Sequence, residues 1–316
     1  VTLKNITIPS RDTIICIVGE RENNLKIISK ELEVRINSSG NDFFISGEEK
    51  NVEMAYKVIK NLEGICNGTS ILSYADINIC IDAVKNNKLK DYKKLKSTII
   101  TKDFKGKPIK TRTFSQLDLY NSTRDNLITF GVGYSGVGKT LLSVAIGVQE
   151  LLDKKVEKLI LCRPAVSAQE KLGYLPGLEA QKLEPYLRPL YDYLISIVGI
   201  DQFNAYILTG KIEVRSLSFM RGADFKNSFV ILDEAQNTKK EQMKLFLTRL
   251  SSGSRMVVVG DTTQSDLIND KENGLTHAMK LLTDIEGIKF ISFTETDIVR
   301  HPLVQKIVMA YNRENI

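Results

Sequence analysis

The sequence predicts an α/β fold, a parallel sheet with helices on both faces, preceded by a small α+β unit and a short basic connector. Three observations carry that reading. From Leu127 onward, short apolar runs rich in β-branched residues alternate with stretches of helical periodicity, as in a sheet whose strands are buried on both sides. The eight residues Gly133-Tyr134-Ser135-Gly136-Val137-Gly138-Lys139-Thr140 fit GxxxxGK followed by Ser or Thr, and they stand between a strand-like run and a helix-like one. Later, the apolar run Phe229-Val230-Ile231-Leu232 ends in two carboxylates, Asp233 and Glu234.

Taken in order, residues 12–63 read as strand, helix, strand, strand, helix. DTIICIVG (12–19) is apolar and β-branched; Leu25, Ile28 and Leu32 recur at helical spacing; residues 34–40 and 43–47 alternate about an SSGND turn; residues 52–62 are amphipathic. Residues 73–87 continue as a helix, and Gly106 sits between two alternating runs as a hairpin turn. The main sheet takes strands at 127–132, 158–162, 211–217, 228–233, 255–261 and 288–293. Domains are thus expected at 1–84, 85–112 and 113–316. Ligands of open sheets bind beyond the carboxyl ends of the strands, where the glycine-rich loop, Asp233 and Asp261 all fall.

At 316 residues and 42% hydrophobic composition, the chain can fill two ordinary cores. No apolar run approaches the roughly 18 residues of a membrane span, and the N-terminus lacks the layout of a secretion signal, so the cytoplasm is the expected location. Cys16, Cys66, Cys80 and Cys162 form no CxxC pair and only two histidines are present, which excludes a metal-ligand cluster and leaves buried, reduced thiols. Charge is unevenly spread. Residues 1–84 carry 9 bases and 12 acids and residues 113–316 carry 24 of each, whereas residues 85–112 carry 11 bases and 2 acids. A segment so concentrated suits nucleic-acid phosphates, because clustered lysines release bound counterions.

Each residue of the loop has a chemical reason. Gly133, Gly136 and Gly138 let the backbone turn tightly, so that the amides of Tyr134, Ser135, Val137 and their neighbours converge with a helix N-terminus on phosphates. Lys139 adds a point charge for the outer phosphates, and Thr140 offers a hydroxyl to a bridging Mg2+. Asp233, at the end of a buried strand, is the second Mg2+ group, and the adjacent Glu234 can polarise a water. ATP with Mg2+ is the expected cofactor pair, and a primed carboxylate favours hydrolysis over transfer to a metabolite. Gln264, beyond the run 257–261, is placed to sense the terminal phosphate. Arg300, just before His301-Pro302, and Arg163, at the end of the second strand, are the candidates to meet transition-state charge, the former by reaching a neighbouring subunit.

The strings RPAVSAQEKLGYLPG (163–177), EPYLRPLYD (184–192), MRGADFKNSFVILDEAQNT (220–238), FLTRL (246–250), MVVVGDTTQSDL (256–267) and DIVRHPLVQKIV (297–308) closely resemble the PhoH-like family of ATPases over residues 112–312. The resemblance implies a RecA-like P-loop NTPase core, ATP hydrolysis with Mg2+, association with RNA metabolism and phosphate starvation, and ring-like homo-oligomers such as a hexamer. It likens Asp233-Glu234-Ala235-Gln236 to a helicase-type DEAQ box and Gly260-Asp261 with Gln264 to the coupling motif after it. Arg112-Thr113-Phe114-Ser115-Gln116 resembles the segment in which a glutamine reads the adenine edge, which assigns Gln116 to the base. The N-terminal section resembles the KH-like domain of the family, with Gly19-Glu20-Arg21-Glu22-Asn23-Asn24-Leu25 at its RNA-clamping loop; a glutamate stands at 22 where a GxxG clamp needs glycine. No attached nuclease-like domain is expected, so a ribonuclease or the ribosome would be a separate partner.

The leading reading is an RNA-remodelling, helicase-like ATPase. The alternatives are a nucleotide-gated RNA-binding scaffold without unwinding, which having one RecA-like core favours, and a small-molecule kinase, which would need a lid and an acceptor site.

Overall fold

The computed structural model describes residues 2–66, 72, 74–164, 179–220, 222–264 and 273–298, and the chain divides into two compact units between Ser97 and Thr98. Among the described residues no helix is long and apolar enough to cross a membrane.

The first unit runs β1 (Thr2–Thr7), α1 (Arg11–Val18), α2 (Asn23–Leu32), β2 (Arg35–Ser39), β3 (Asp42–Gly47), α3 (Glu49–Glu63), α4 (Tyr74–Lys85) and α5 (Leu89–Ser97). Its antiparallel sheet has the order β1-β3-β2. Two features correct the sequence reading. DTIICIVG forms helix α1 and not a strand: the Ser10 side chain accepts from the Thr13 amide as an N-cap, and Thr13 and Ile17, four apart, are its buried face. Tertiary packing overrides the β-branched propensity there, since the Thr13 hydroxyl donates to Cys66 O 53 residues away. The first strand is instead Thr2–Thr7, paired along β3. The thiols are not all reduced either. Cys16 on α1 and Cys66 beyond α3 form a disulfide, whereas Cys80 and Cys162 are buried and free.

The basic segment is shared between the units. Its first part forms α5, and the rest makes a hairpin of β4 (Ile99–Lys102) and β5 (Pro108–Lys110) turning at Gly106, which has φ 80°.

The second unit continues through α6 (Phe114–Asp125), β6 (Ile128–Gly133), α7 (Lys139–Leu152), β7 (Lys158–Arg163), α8 (Glu179–Val198), α9 (Ile200–Leu208), β8 (Ile212–Ser216), β9 (Ser228–Leu232), α10 (Lys240–Leu247), β10 (Arg255–Gly260), α11 (Gly274–Leu281) and β11 (Ile288–Phe293). Its six strands are all parallel, in the order β11-β6-β10-β9-β7-β8. Alternation along each strand feeds two cores. Leu159, Leu161, Phe229, Ile231, Val257 and Val259 pack with α7 and α8, while Ile160, Cys162, Val230, Leu232, Met256 and Val258 pack with α10 and α11. Helix α7 lies so close to the sheet that a Cβ on Gly147 would come within 2.6 Å of Leu159. That contact fixes the height of the α7 N-terminus over the carboxyl ends of β6, β7, β9 and β10, and the candidate site forms there.

Candidate nucleotide site

Strand β6 ends against β11 at Gly133, where a Cβ would sit 2.1 Å from Phe293 O, so the chain can leave the sheet there only as glycine. The loop closes at Gly138, whose φ of 83° is the left-handed conformation that glycine adopts without strain. Gly138 is also the N-cap of α7 and offers no side chain, so the first amides of α7 have no side-chain cap. The neighbouring helices α6 and α11 are capped by Thr113 and Asn273. Uncapped helix amides behind a glycine turn are an anion cradle.

Lys139 is buried and spans the loop, donating to Gly133 O at 2.6 Å and Tyr134 O at 2.7 Å. Burial lowers its pKa, opposed by Asp261, Glu234 and Asp233. At the next residue, Thr140 Oγ1 donates to Asp233 Oδ1 at 2.7 Å, joining two motifs 93 residues apart. Asp233 gets there through β9: its amide donates to Cys162 O, continuing the β7 ladder in which Cys162 faces Leu232. Burial lifts the Asp233 carboxyl to about 6; the Arg163 charge and the Thr140 hydrogen bond act against this, and Glu234 adds to it. Glu234 follows in a left-handed conformation, φ 53°, which turns the chain out of the strand into a 3-10 turn at Ala235–Asn237.

The same register sets Arg163 beside Asp233. Its Nη2 donates to Glu234 Oε1 at 2.8 Å, its Nε lies 3.6 Å from Asp233 Oδ2, and its Nη1 donates to Tyr186 O on α8. Gln236, buried two residues past Glu234, donates to Glu234 Oε2 at 2.6 Å and accepts from the Asp261 amide at 2.9 Å. Sequence reasoning placed Gln236 only as the last residue of the DEAQ-like box and gave it no contact of its own. Asp261 Oδ1 accepts from the amide and hydroxyl of Thr263, and its Oδ2 is buried without a partner among the described residues.

A cavity of about 360 Å³ opens among these groups, lined by Ser135, Gly136, Gly138, Lys139, Thr140, Leu141, Tyr193, Asp233, Glu234, Gly260, Asp261 and Gln264. Tyr134 and Val137 lie off its wall: Tyr134 packs on the core, and Val137 is fully buried. Gln116 is off the wall as well. It is 5% exposed, its Oε1 accepts from the Arg112 amide at 2.7 Å and its Nε2 donates to Val137 O at 2.8 Å, so the side chain ties the loop to the segment before α6. Arg300 lies outside the described residues.

The family model described as "PhoH-like protein" matches residues 108–312. The chain belongs to the PhoH-like family. It is 38% identical over 312 residues to a PhoH-like protein of Synechocystis, covering 99% of this chain and 95% of that one. It is also 38% identical over 311 residues to a PhoH-like protein of Bacillus subtilis, with 98% of both covered. Protein PhoH of Escherichia coli K12 is 39% identical over 208 residues, covering 65% of this chain and 58% of that one. PhoH-like chains are P-loop ATPases by family, and the geometry of this one fits a nucleotide with a divalent cation: uncapped amides and Lys139 for phosphates, a hydroxyl and carboxylate already side by side at Thr140 and Asp233, and, on Asp261 of the same cavity wall, a buried oxygen without a partner among the described residues.

Proposed function

We propose that this PhoH-like chain binds ATP at the loop 133–140, hydrolyses it, and couples the cycle to RNA. The observation that carries the reading is the 2.7 Å bond between Thr140 and Asp233, which sets the hydroxyl and carboxylate for a cation against the phosphate cradle. Mg2+ held there would neutralise charge on the outer phosphates and orient them. Loop amides and Lys139 fix the triphosphate. Glu234 takes a proton from water as the water oxygen bonds to the terminal phosphorus; the bond from that phosphorus to the bridging oxygen breaks, and ADP leaves with the electron pair. Gln264, on the cavity wall and one turn from Asp261, would register loss of the terminal phosphate.

Two features support RNA as the partner. The first is the basic segment, displayed on α5 and on the β4–β5 hairpin. The second is the element order of the first unit, strand-helix-helix-strand-strand-helix with the Gly19 turn between its two leading helices, which favours the KH-like reading. That turn is folded on itself: Asn24 donates to Cys16 O, and a Cβ on Gly19 would lie 2.5 Å from the Asn24 side chain. Glu20 and Glu22 flank it, so the lysines are the stronger phosphate contacts. The test is Mg2+-dependent ATP turnover with and without single-stranded RNA. We expect RNA to raise the rate and Glu234→Gln to bind ATP without turning it over. An unwinding assay on a tailed duplex separates remodelling from gated binding, and absence of ATP turnover under all conditions refutes the reading.

A further inference from the structure

Both carboxylate oxygens of Glu234 are engaged in this structure, Oε1 by Arg163 Nη2 and Oε2 by Gln236 Nε2. Each oxygen keeps a second lone pair, but the two donors fix the carboxylate's direction, so turning Glu234 toward a water in the cradle requires one partner to let go. Gln236 is fixed in turn, because its own oxygen holds the Asp261 amide and its backbone carbonyl accepts from Asn273. Arg163 is the partner with an alternative. The same guanidinium reaches Asp233 at 3.6 Å and Tyr186 O at 2.8 Å, with its side chain 18% exposed. Arg163 is also off the wall of the cavity that the loop lines, so it stands behind the acids and does not face the phosphate cradle.

A divalent cation at Thr140 and Asp233 would neutralise the same carboxylates that Arg163 neutralises now. Two cations a few ångströms apart in a buried site repel, so the guanidinium loses hold on the acids as the metal gains it. Its other anchor is prepared. Tyr186 lies on helix α8 next to Pro185, and its carbonyl already accepts from Arg163 Nη1 at 2.8 Å.

We infer that Arg163 is a positioning residue, a resident counter-ion that pins Glu234 in the nucleotide-free protein and is displaced toward Tyr186 when Mg2+ and nucleotide arrive, freeing Glu234 to act. The inference rests on the ATPase reading of this site and predicts slow turnover without a partner, since a ligand that moves α8 also moves the anchor of Arg163. It is opposed to the reading of Arg163 as a transition-state cation, since the two predict opposite changes in rate.

The test uses the full chain with Arg163→Ala and Arg163→Lys and two readouts. The first involves no turnover: binding of a fluorescent non-hydrolysable ATP analogue is followed while Mg2+ is titrated. Removing the competing cation should lower the half-saturating Mg2+ about fivefold in the alanine variant and less in the lysine variant. In the second, RNA-free kcat should rise about fivefold in the alanine variant with KM for ATP changed less than twofold, and stimulation by RNA should shrink accordingly. A kcat that falls tenfold with analogue binding intact would make Arg163 a catalytic cation and overturn the inference, as would an unchanged Mg2+ requirement. If the alanine variant does not fold, the lysine variant carries both measurements with the same signs. Should the wild-type chain prove to have no ATP turnover, the hydrolysis reading fails on its own, while the shift in Mg2+ requirement still decides whether Arg163 is the counter-ion.

Discussion

Replacing Asp233 with asparagine should stabilise the nucleotide-free protein while ending turnover. Burial holds this carboxyl at about 6 against an ordinary 3.8. At 1.36 kcal/mol per pH unit, that difference means that keeping the charge in place costs about 3 kcal/mol at neutral pH. The sign follows from which state holds the proton. An unfolded chain releases it near 3.8 and the folded chain only near 6, so this group's contribution to stability falls as pH rises through that window and stays at its minimum above it. Asparagine keeps an oxygen for the Thr140 hydroxyl and removes the charge, but gives up the 3.6 Å pairing with Arg163. The net gain should therefore be smaller, about 1–2 kcal/mol. For a unit of this size that is a Tm increase of about 3–6 °C. Scanning calorimetry without nucleotide at pH 7.5 should show the increase, and the gap between variant and wild type should close toward pH 4. A variant less stable than wild type at pH 7.5, or a difference that does not change with pH, would refute the claim that the site stores unfavourable charge for a cation to relieve.

Lys139→Ala should remove detectable nucleotide binding, because its ammonium is the only side-chain cation on the cavity wall among the described residues; binding within twofold of wild type would contradict this. Glu234→Gln should bind the analogue normally and lower kcat at least a hundredfold, a loss typical for a removed general base, and near-normal turnover would take the residue out of its role. Reversing the charge of Lys90, Lys93, Lys105 and Lys107 should weaken RNA binding and flatten its dependence on salt, measured by fluorescence anisotropy at several salt concentrations; unchanged affinity would place the contact elsewhere. Gln116→Ala should weaken ATP and GTP analogues by the same factor, about fivefold, since the bonds it loses are to Arg112 and Val137. A loss confined to ATP would show that Gln116 reads the base.

Much of the second unit was legible in the sequence because its central strands are buried on both faces. Runs such as Phe229–Leu232 and Met256–Val259 then carry no polar residue to blur them, whereas the edge strands β8 and β11 carry Glu213, Arg215 and Lys289 among their apolar residues. Most of the cavity wall was legible for a related reason: apart from Tyr193 on α8, it is built from short pieces within 135–141, 233–234 and 260–264, each at a strand end. What was not legible depends on register between distant strands. That Arg163 would meet Glu234, 71 residues on, follows from Cys162 facing Leu232, and no local pattern announces which strands are neighbours. Gln236 is similar, since its link to Asp261 exists only because β9 lies beside β10. In the first unit the failure was one of propensity. Ile14, Ile15 and Ile17 favour a strand in isolation, but the Ser10 cap and the packing of Thr13 and Ile17 decide for a helix, and the edge position passes to Thr2–Thr7.

Every step above requires nucleotide to sit in the cradle between Lys139 and Asp233. Calorimetric titration of a non-hydrolysable ATP analogue with Mg2+ into the wild-type chain and Lys139→Ala tests that most directly. One analogue should bind per chain with measurable heat in the wild type, and the heat should vanish in the variant. No heat in the wild type, or equal heat in both, would contradict the central claim.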